Sequence, residues 1–232
     1  YADYAAWQRR RLGPARLDSH LTWWEQKLSG HPELCALNAD LVPELEWAGT
    51  TLDFEWDAEL SGELTRFAKQ SDVSLYMCLV AAAAIALHRH TGLEDIVLGS
   101  PVAMRERAEF ERIIGPFVNT QVLRMPVTPG MSFAEVLREA RGALLDAYPH
   151  AHVPFEMVVD KLKPPRSLNR TPVFQFAVVL HNAADGETAP IFGGGAVHEM
   201  TWFVRESGGR IMGSIEYRTD IYLEETVRRL LD

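Results

Sequence analysis

From Ser74 the chain runs through Leu75, Tyr76, Met77, Cys78, Leu79 and Val80 into an alanine-rich stretch ending at Ile85, Ala86 and Leu87, and no Lys, Arg, Asp or Glu interrupts it before Arg89. Wound at 3.6 residues per turn, such a run is apolar nearly all round, so the helix must be covered on all sides by the rest of the domain. Its purely apolar part, residues 79–87, is mostly alanine and too short to span a bilayer. Thr91-Gly92 marks its end. The 232 residues are 47% hydrophobic and 24% charged, enough to supply that cover and far from the composition of a disordered or low-complexity chain.

The remaining periodicities supply the cover. Leu17, Leu21, Trp24 and Leu28 fall at helical spacing with Gly30 placed to stop the helix, and Leu60, Leu64, Phe67 and Ala68 mark another. Ser132 and Glu135 form a capping-box pattern ahead of Val136, Leu137, Ala140, Leu144 and Leu145. Pro154 suits the first helical position before Phe155, Val158, Val159 and Leu162. Residues 51–56 alternate as a strand does, residues 96–98 and 117–123 are β-prone, and strands are expected over 173–180, 197–205 and 211–217, with Gly208-Gly209 as a hairpin turn between the last two. Proline and acidic residues over 31–49 predict a surface connection, and residues 224–231 read as an amphipathic helix in progress. Helices and strands interleave without strict alternation, which predicts an α+β fold, an α/β sandwich.

The formal charge is −9, from 23 Lys and Arg against 32 Asp and Glu. A nucleic-acid partner needs clustered basic residues, so none is expected. Two separated cysteines, Cys35 and Cys78, fit neither a disulfide framework nor a zinc site and point to a reducing, cytoplasmic setting. No metal site and no membrane partner are expected. With no initiator Met and no leader at Tyr1, the chain reads as part of something longer. His88 and His90 sit two apart on a helix end, a spacing that suits no metal. His181-Asn182-Ala183-Ala184-Asp185-Gly186 gives an H-x-x-x-D-G string, which makes His181 a weak catalytic candidate; a strand running into an Asp-Gly turn explains it equally well.

Four strings resemble, in order, the motifs of the condensation domains of nonribosomal peptide synthetases. They are Tyr1-Ala2-Asp3-Tyr4-Ala5-Ala6-Trp7-Gln8, Gly115-Pro116-Phe117-Val118-Asn119-Thr120, His150-Ala151-His152-Val153-Pro154-Phe155-Glu156, and Arg166-Ser167-Leu168-Asn169-Arg170-Thr171-Pro172-Val173-Phe174-Gln175. The third departs from the family's His-Gln-Asp at Ala151 and His152. The resemblance implies that residues 1–232 are the C-terminal lobe of a two-lobed, chloramphenicol-acetyltransferase-like domain. The family's His-His-x-x-x-Asp-Gly motif lies on an N-terminal lobe ahead of the first string, so His181 falls out of family order.

The implied reaction joins a carrier-bound acyl or peptidyl thioester to the amine of a carrier-bound aminoacyl thioester. No cofactor is tightly bound; phosphopantetheine arms of carrier proteins are substrates. The implied partners are donor and acceptor peptidyl carrier proteins, the N-terminal lobe and a neighbouring adenylation domain. Asn119 either orients the tunnel or fixes its strand to a loop. Arg105 and Arg107 are candidates for carrier or substrate contact, Asp3 for the interface between lobes, Glu156 for a helix-dipole role, and Arg166 and Arg170 for pairing with the acidic surface. The glycine-rich loop 183–195 would latch onto the other lobe, which would cover Ile191, Phe192 and Trp202. A module of this kind that has lost catalysis and recruits a tailoring enzyme is the competing reading.

Overall fold

The uncharged run forms helix α4 (Leu75–Thr91), started by the Ser74 hydroxyl, which accepts from Met77 N, and stopped by Gly92 in the left-handed region at φ 71°. Along it Cys78, Val80, Ala81, Ala84 and Leu87 are buried, as an all-round apolar helix requires. What buries it is a sheet below and helices beside. The computed structural model describes residues 1–44, 46–165, 167–181 and 192–231. Around α4 the chain forms α1 (Ala2–Arg11), α2 (Pro14–Leu28), β1 (Gly49–Glu55), α3 (Ala58–Gln70), β2 (Asp95–Ala103), β3 (Val118–Pro126), α5 (Phe133–Ala147), α6 (Phe155–Leu162), β4 (Phe176–His181), β5 (Met200–Ser207), β6 (Arg210–Arg218) and α7 (Glu224–Arg228).

The strands make one six-stranded sheet in the order β1-β6-β5-β4-β2-β3, with β4 parallel to β2 and β5 and the other pairs antiparallel. Helices α3, α4 and α5 touch in sequence and form one layer on the sheet. Tyr76 on α4 ties that layer down: its hydroxyl donates to the Val178 carbonyl at 2.9 Å and lies 2.7 Å from Ser100 Oγ, while burial pushes its pKa up to about 12. Ser132 and Glu135 make the expected capping box. The β5–β6 turn runs through Gly208 and Gly209 at φ 58° and 76°, which permits a two-residue hairpin with the strand twist.

Three expectations need correction. Residues 31–49 are not simply a surface connection, because Cys35, Ala36 and Leu37 are buried. Cys35 N donates to Gln175 Oε1 at 2.7 Å and Val97 N donates to Cys35 Sγ at 3.3 Å, so this short apolar group is pinned between strands. Burial pushes the Cys35 thiol up to about 11, and both cysteines are free. Pro154 is the N-cap of α6 and not its first residue. Trp202 and Phe192 are half-buried rather than exposed, since Trp202 lies on the inner face of β5 against the main core; Ile191 lies outside the described residues. Among the described residues no single helix is long and apolar enough to cross a membrane.

Candidate functional site

Among the described residues, the second face of the sheet half formed by β1, β6, β5 and β4 is left open by core packing. Strand register sets what it displays. Leu52, Ile215, Trp202 and Val178 form one cross-strand row that belongs to the core. On the opposite face the partners run Glu55, Met212, Arg205, His181 in one row and Asp53, Ser214, Phe203, Val179 in the next. Residues of these two rows line a cleft of about 580 Å³ with Ser214 as its small floor residue. At the usual strand spacing, the carboxylates on β1 stand roughly 14 Å from the imidazole on β4.

His181 is therefore in the cleft. Its ring stacks on Phe203 at 5.7 Å and 20°, and burial holds its pKa below the ordinary imidazole value, so at neutral pH the ring is uncharged. Among the described residues its buried Nε2 finds no hydrogen-bond partner. The Asp185 of its string lies outside the described residues. Among the described residues no group of His, Cys, Asp and Glu is placed to hold a metal. The arrangement offers shape, one neutral imidazole and scattered charge, the equipment of a wall that positions reactants and not of a nucleophile with its base.

The family-like strings meet elsewhere and mostly spend their polar groups on each other. Helix α1 is held by an aromatic box in which Tyr4, only 3% exposed, meets Phe117 at 4.5 Å and Phe110 at 5.2 Å, with Trp7 5.1 Å from Phe110. Gly115 is needed beside it, because an added Cβ would lie 2.3 Å from the Tyr1 ring. Arg105 stacks over Phe117 at 4.1 Å and donates to the carbonyls of Phe110, Glu111 and Ile113, the last at 3.0 Å. All three carbonyl contacts use Nη1 and clamp the loop from Phe110 to Ile113. Arg107 pairs with Glu109 at 2.9 Å. Asp3 stands exposed in the first turn of α1, and Glu156 exposed in the first turn of α6; both signs suit the helix dipole.

Asn119 makes three hydrogen bonds to the segment leading into α6. Its Nδ2 donates to Ala151 O at 2.7 Å and Val153 O at 2.6 Å, and its Oδ1 accepts from Phe155 N at 3.1 Å. The whole amide is consumed in fixing β3 to the loop before α6. In that loop His150 stacks on Trp23 at 3.9 Å and lies 2.8 Å from His20 across facing Nδ1 atoms. His88 and His90 bond the Leu93 and Ala86 carbonyls at the α4 end, as helix-end histidines.

Arg166 lies outside the described residues. Arg170 does not reach the acidic surface; it stands 3.2 Å from Glu199, whose side chain is 0% exposed. Burial raises the Glu199 pKa, opposed by the Tyr222 hydroxyl, which donates to Glu199 Oε2 at 2.8 Å, and by Arg170. Fully buried Arg218 completes this knot through Asp220, the Asn169 carbonyl and the Glu44 carbonyl, over the face of Trp47 at 4.2 Å. Neither the knot nor the cleft pair Asp53 and Arg205 was foreseen from the sequence. The alternation of Thr51, Asp53 and Glu55 with Leu52, Phe54 and Trp56 was the available signal for the cleft; nothing local marked the knot.

The chain matches the Condensation domain family over residues 1–232. It is 38% identical over 244 residues to one of the linear gramicidin synthase proteins of Brevibacillus parabrevis, covering 100% of this chain and 5% of that protein. It is 32% identical over 244 residues to a phosphinothricin tripeptide synthetase of Streptomyces viridochromogenes, covering 99% of this chain and 22% of that one. The chain thus spans a small fraction of these curated relatives. Among solved structures, the X-domain from teicoplanin biosynthesis superposes with a TM-score of 0.88 at 24% identity, over 99% of this chain and 56% of that one. The first condensation domain of the calcium-dependent antibiotic synthetase, solved with a substrate analogue, superposes with a TM-score of 0.80 at 21% identity, over 97% and 53%. At these identities the two structures establish the shared fold, with its mixed α/β layers and six-stranded sheet, and the sequence match establishes the kinship: this chain belongs to the condensation-domain family of nonribosomal peptide synthetases.

Proposed function

We propose that residues 1–232 are the C-terminal lobe of a condensation domain, one wall of a passage in which a carrier-bound acyl or peptidyl thioester is joined to the amine of a carrier-bound aminoacyl thioester. The observation that carries this is the half-sheet left open among the described residues: a cleft of about 580 Å³ with mixed polar and apolar lining, a single neutral imidazole and no partnered nucleophile. Joining two tethered reactants needs near-attack placement above all, and fixed walls supply it. Proton movement and developing charge then fall to the His-His-x-x-x-Asp-Gly motif of a companion lobe. The substrates arrive on phosphopantetheine arms of donor and acceptor carrier proteins, with an adenylation domain as neighbour, in the cytoplasm.

A second reading has its own support. The X-domain of teicoplanin biosynthesis, solved also in complex with OxyB, has this fold. A chain of this shape can therefore serve as a non-catalytic platform that recruits a tailoring enzyme. Amide formation by the full-length parent with two loaded carrier proteins separates the two. Product is expected, with none from residues 1–232 alone. His181→Ala in the parent should slow turnover less than about tenfold, whereas removal of a general base costs about 10²–10⁴. A parent that forms no amide and binds a tailoring enzyme establishes the platform reading.

A further inference from the structure

A second concavity, of about 490 Å³, lies between the α1–α2 turn and the loop after α5, and Arg11, Arg16, His20 and His152 converge on it beside Tyr148. Among the described residues no carboxylate lines it, although the chain as a whole carries a formal charge of −9. The nearby acid Glu106 is turned to Arg11, with which it pairs, and stands 3.1 Å from His152 Nε2. Arg11 also approaches that same nitrogen at 2.9 Å. Arg16 is exposed and, among the described residues, held only by a 3.5 Å contact to the Arg11 carbonyl, so its guanidinium is available to a ligand.

Of the two guanidiniums, Arg11 is paired with Glu106, whereas Arg16 faces no carboxylate among the described residues. Burial and then Arg16 hold the His20 pKa down. Burial likewise holds His152 down, with Glu106 opposing and Arg11, His20 and Arg16 adding to the depression. An anion with several acceptor oxygens entering this concavity would meet the Arg16 guanidinium and favour the protonated form of the imidazoles beside it.

We propose that this concavity binds a phosphate ester, with Arg16 as its principal ligand and His20, His152 and Arg11 as supporting donors. Given the function proposed above, the phosphodiester of a carrier protein's phosphopantetheine arm is one source of that chemistry, and free phosphate is the other. The site lies apart from the sheet-face cleft, with which it shares no lining residue.

The test is calorimetric titration of the full-length parent, its carrier serines replaced by alanine, with phosphopantetheine, inorganic phosphate and pantetheine. Phosphopantetheine should bind saturably and pantetheine should not. Arg16→Ala should weaken binding at least about tenfold, because a charge-assisted contact is lost, and Arg16→Lys should restore part of it. Arg16 is exposed and braces nothing, so an unchanged melting temperature verifies the fold of both variants. Phosphopantetheine bound more tightly than phosphate assigns the carrier arm; equal binding assigns the free anion; both support the site. Binding of pantetheine as tight as that of phosphopantetheine, no binding of either anion, or affinity indifferent to Arg16→Ala overturns it. Amide formation by the same parent is scored separately, so an active protein without this site leaves the proposed reaction standing.

Discussion

Asn119 offers the sharpest test of how the family-like residues work here. If its amide is a brace, Asn119→Ala removes two donors and one acceptor at once: those to Ala151 O, Val153 O and from Phe155 N. Each net hydrogen bond is worth roughly 0.5–1.5 kcal/mol, and an acceptor left buried without a partner falls at the costly end. Ala151 and Val153 are 4% and 1% exposed, so both orphaned carbonyls are poorly reached by water. The expected loss is about 3 kcal/mol, the middle of that range summed over the three bonds. In urea, with an m-value of about 2 kcal/mol/M, this lowers the midpoint by roughly 1.5 M. Asn119→Asp sharpens the test. One carboxylate oxygen still accepts from Phe155 N, but the other faces two carbonyls, which disfavours ionisation and raises the folded-state pKa. A raised folded pKa contributes stability below the unfolded value of about 3.9 that is lost as pH rises through the folded value. Relative to Asn119→Ala, the Asp variant should therefore be weaker at pH 7 and recover toward pH 4. Denaturation midpoints of the intact domain at both pH values measure this. A midpoint for Asn119→Ala within about 0.3 M of the parent, accompanied by loss of amide formation, refutes the brace and returns Asn119 to the substrate passage.

Arg105→Ala should free the loop from Phe110 to Ile113, costing about 2–3 kcal/mol in three carbonyl contacts and the stacking on Phe117, and should speed limited proteolysis there; Arg105→Lys should recover less than half, because an ammonium lacks the planar face that stacks on Phe117. Gly213→Ala would place a Cβ 2.0 Å from the Phe203 carbonyl and 2.8 Å from the Phe54 ring, so the β5–β6 pairing must shift. Its expected cost exceeds about 3 kcal/mol, and an unperturbed melting temperature would show that the strands separate more easily than their register implies. Glu199 has its pKa raised mainly by burial, so its contribution to stability is present at acid pH and lost as pH rises through the folded value. The stability gap between the parent and Glu199→Gln should accordingly shrink between pH 5 and pH 8, as read from denaturant midpoints; a gap that widens with pH would mean that Arg170 outweighs desolvation.

What the sequence disclosed and what it hid follow from the range of the interactions. Helix α4 was legible because its apolarity, its cap at Ser74 and its stop at Gly92 are all local. So were the capping box at Ser132 and the Gly208-Gly209 turn. The trio Cys35, Ala36 and Leu37 was not, because its burial depends on Gln175 and Val97, far along the chain. Sheet order depends on the parallel pairing of β4 with β2 and β5, which no alternation pattern encodes. The Arg170–Glu199 pair misled for a related reason: a charged residue beside prolines looks like surface until the segment leading into β5 delivers a buried carboxylate.

The distribution of satisfied and unsatisfied polar groups separates two kinds of residue. Asn119, Arg105 and Gln175 lie in or beside the family-like strings, and each is committed to backbone groups of its own chain. A side chain so committed cannot also bind a substrate without breaking what it holds, at about 1–3 kcal/mol for each buried group left unpaired. By contrast, among the described residues His181 Nε2 is buried without a partner on the open half-sheet, with Arg205 on the neighbouring strand and Asp53 across the cleft, neither of whose side chains makes a hydrogen bond or ion pair with the described residues. Groups free of structural duty are the ones able to meet a reactant that must be placed, used and released. Exchanging Arg205 or Asp53 should therefore alter which carrier-bound partner is accepted while leaving the unfolding midpoint nearly unchanged, the opposite signature to that of Asn119.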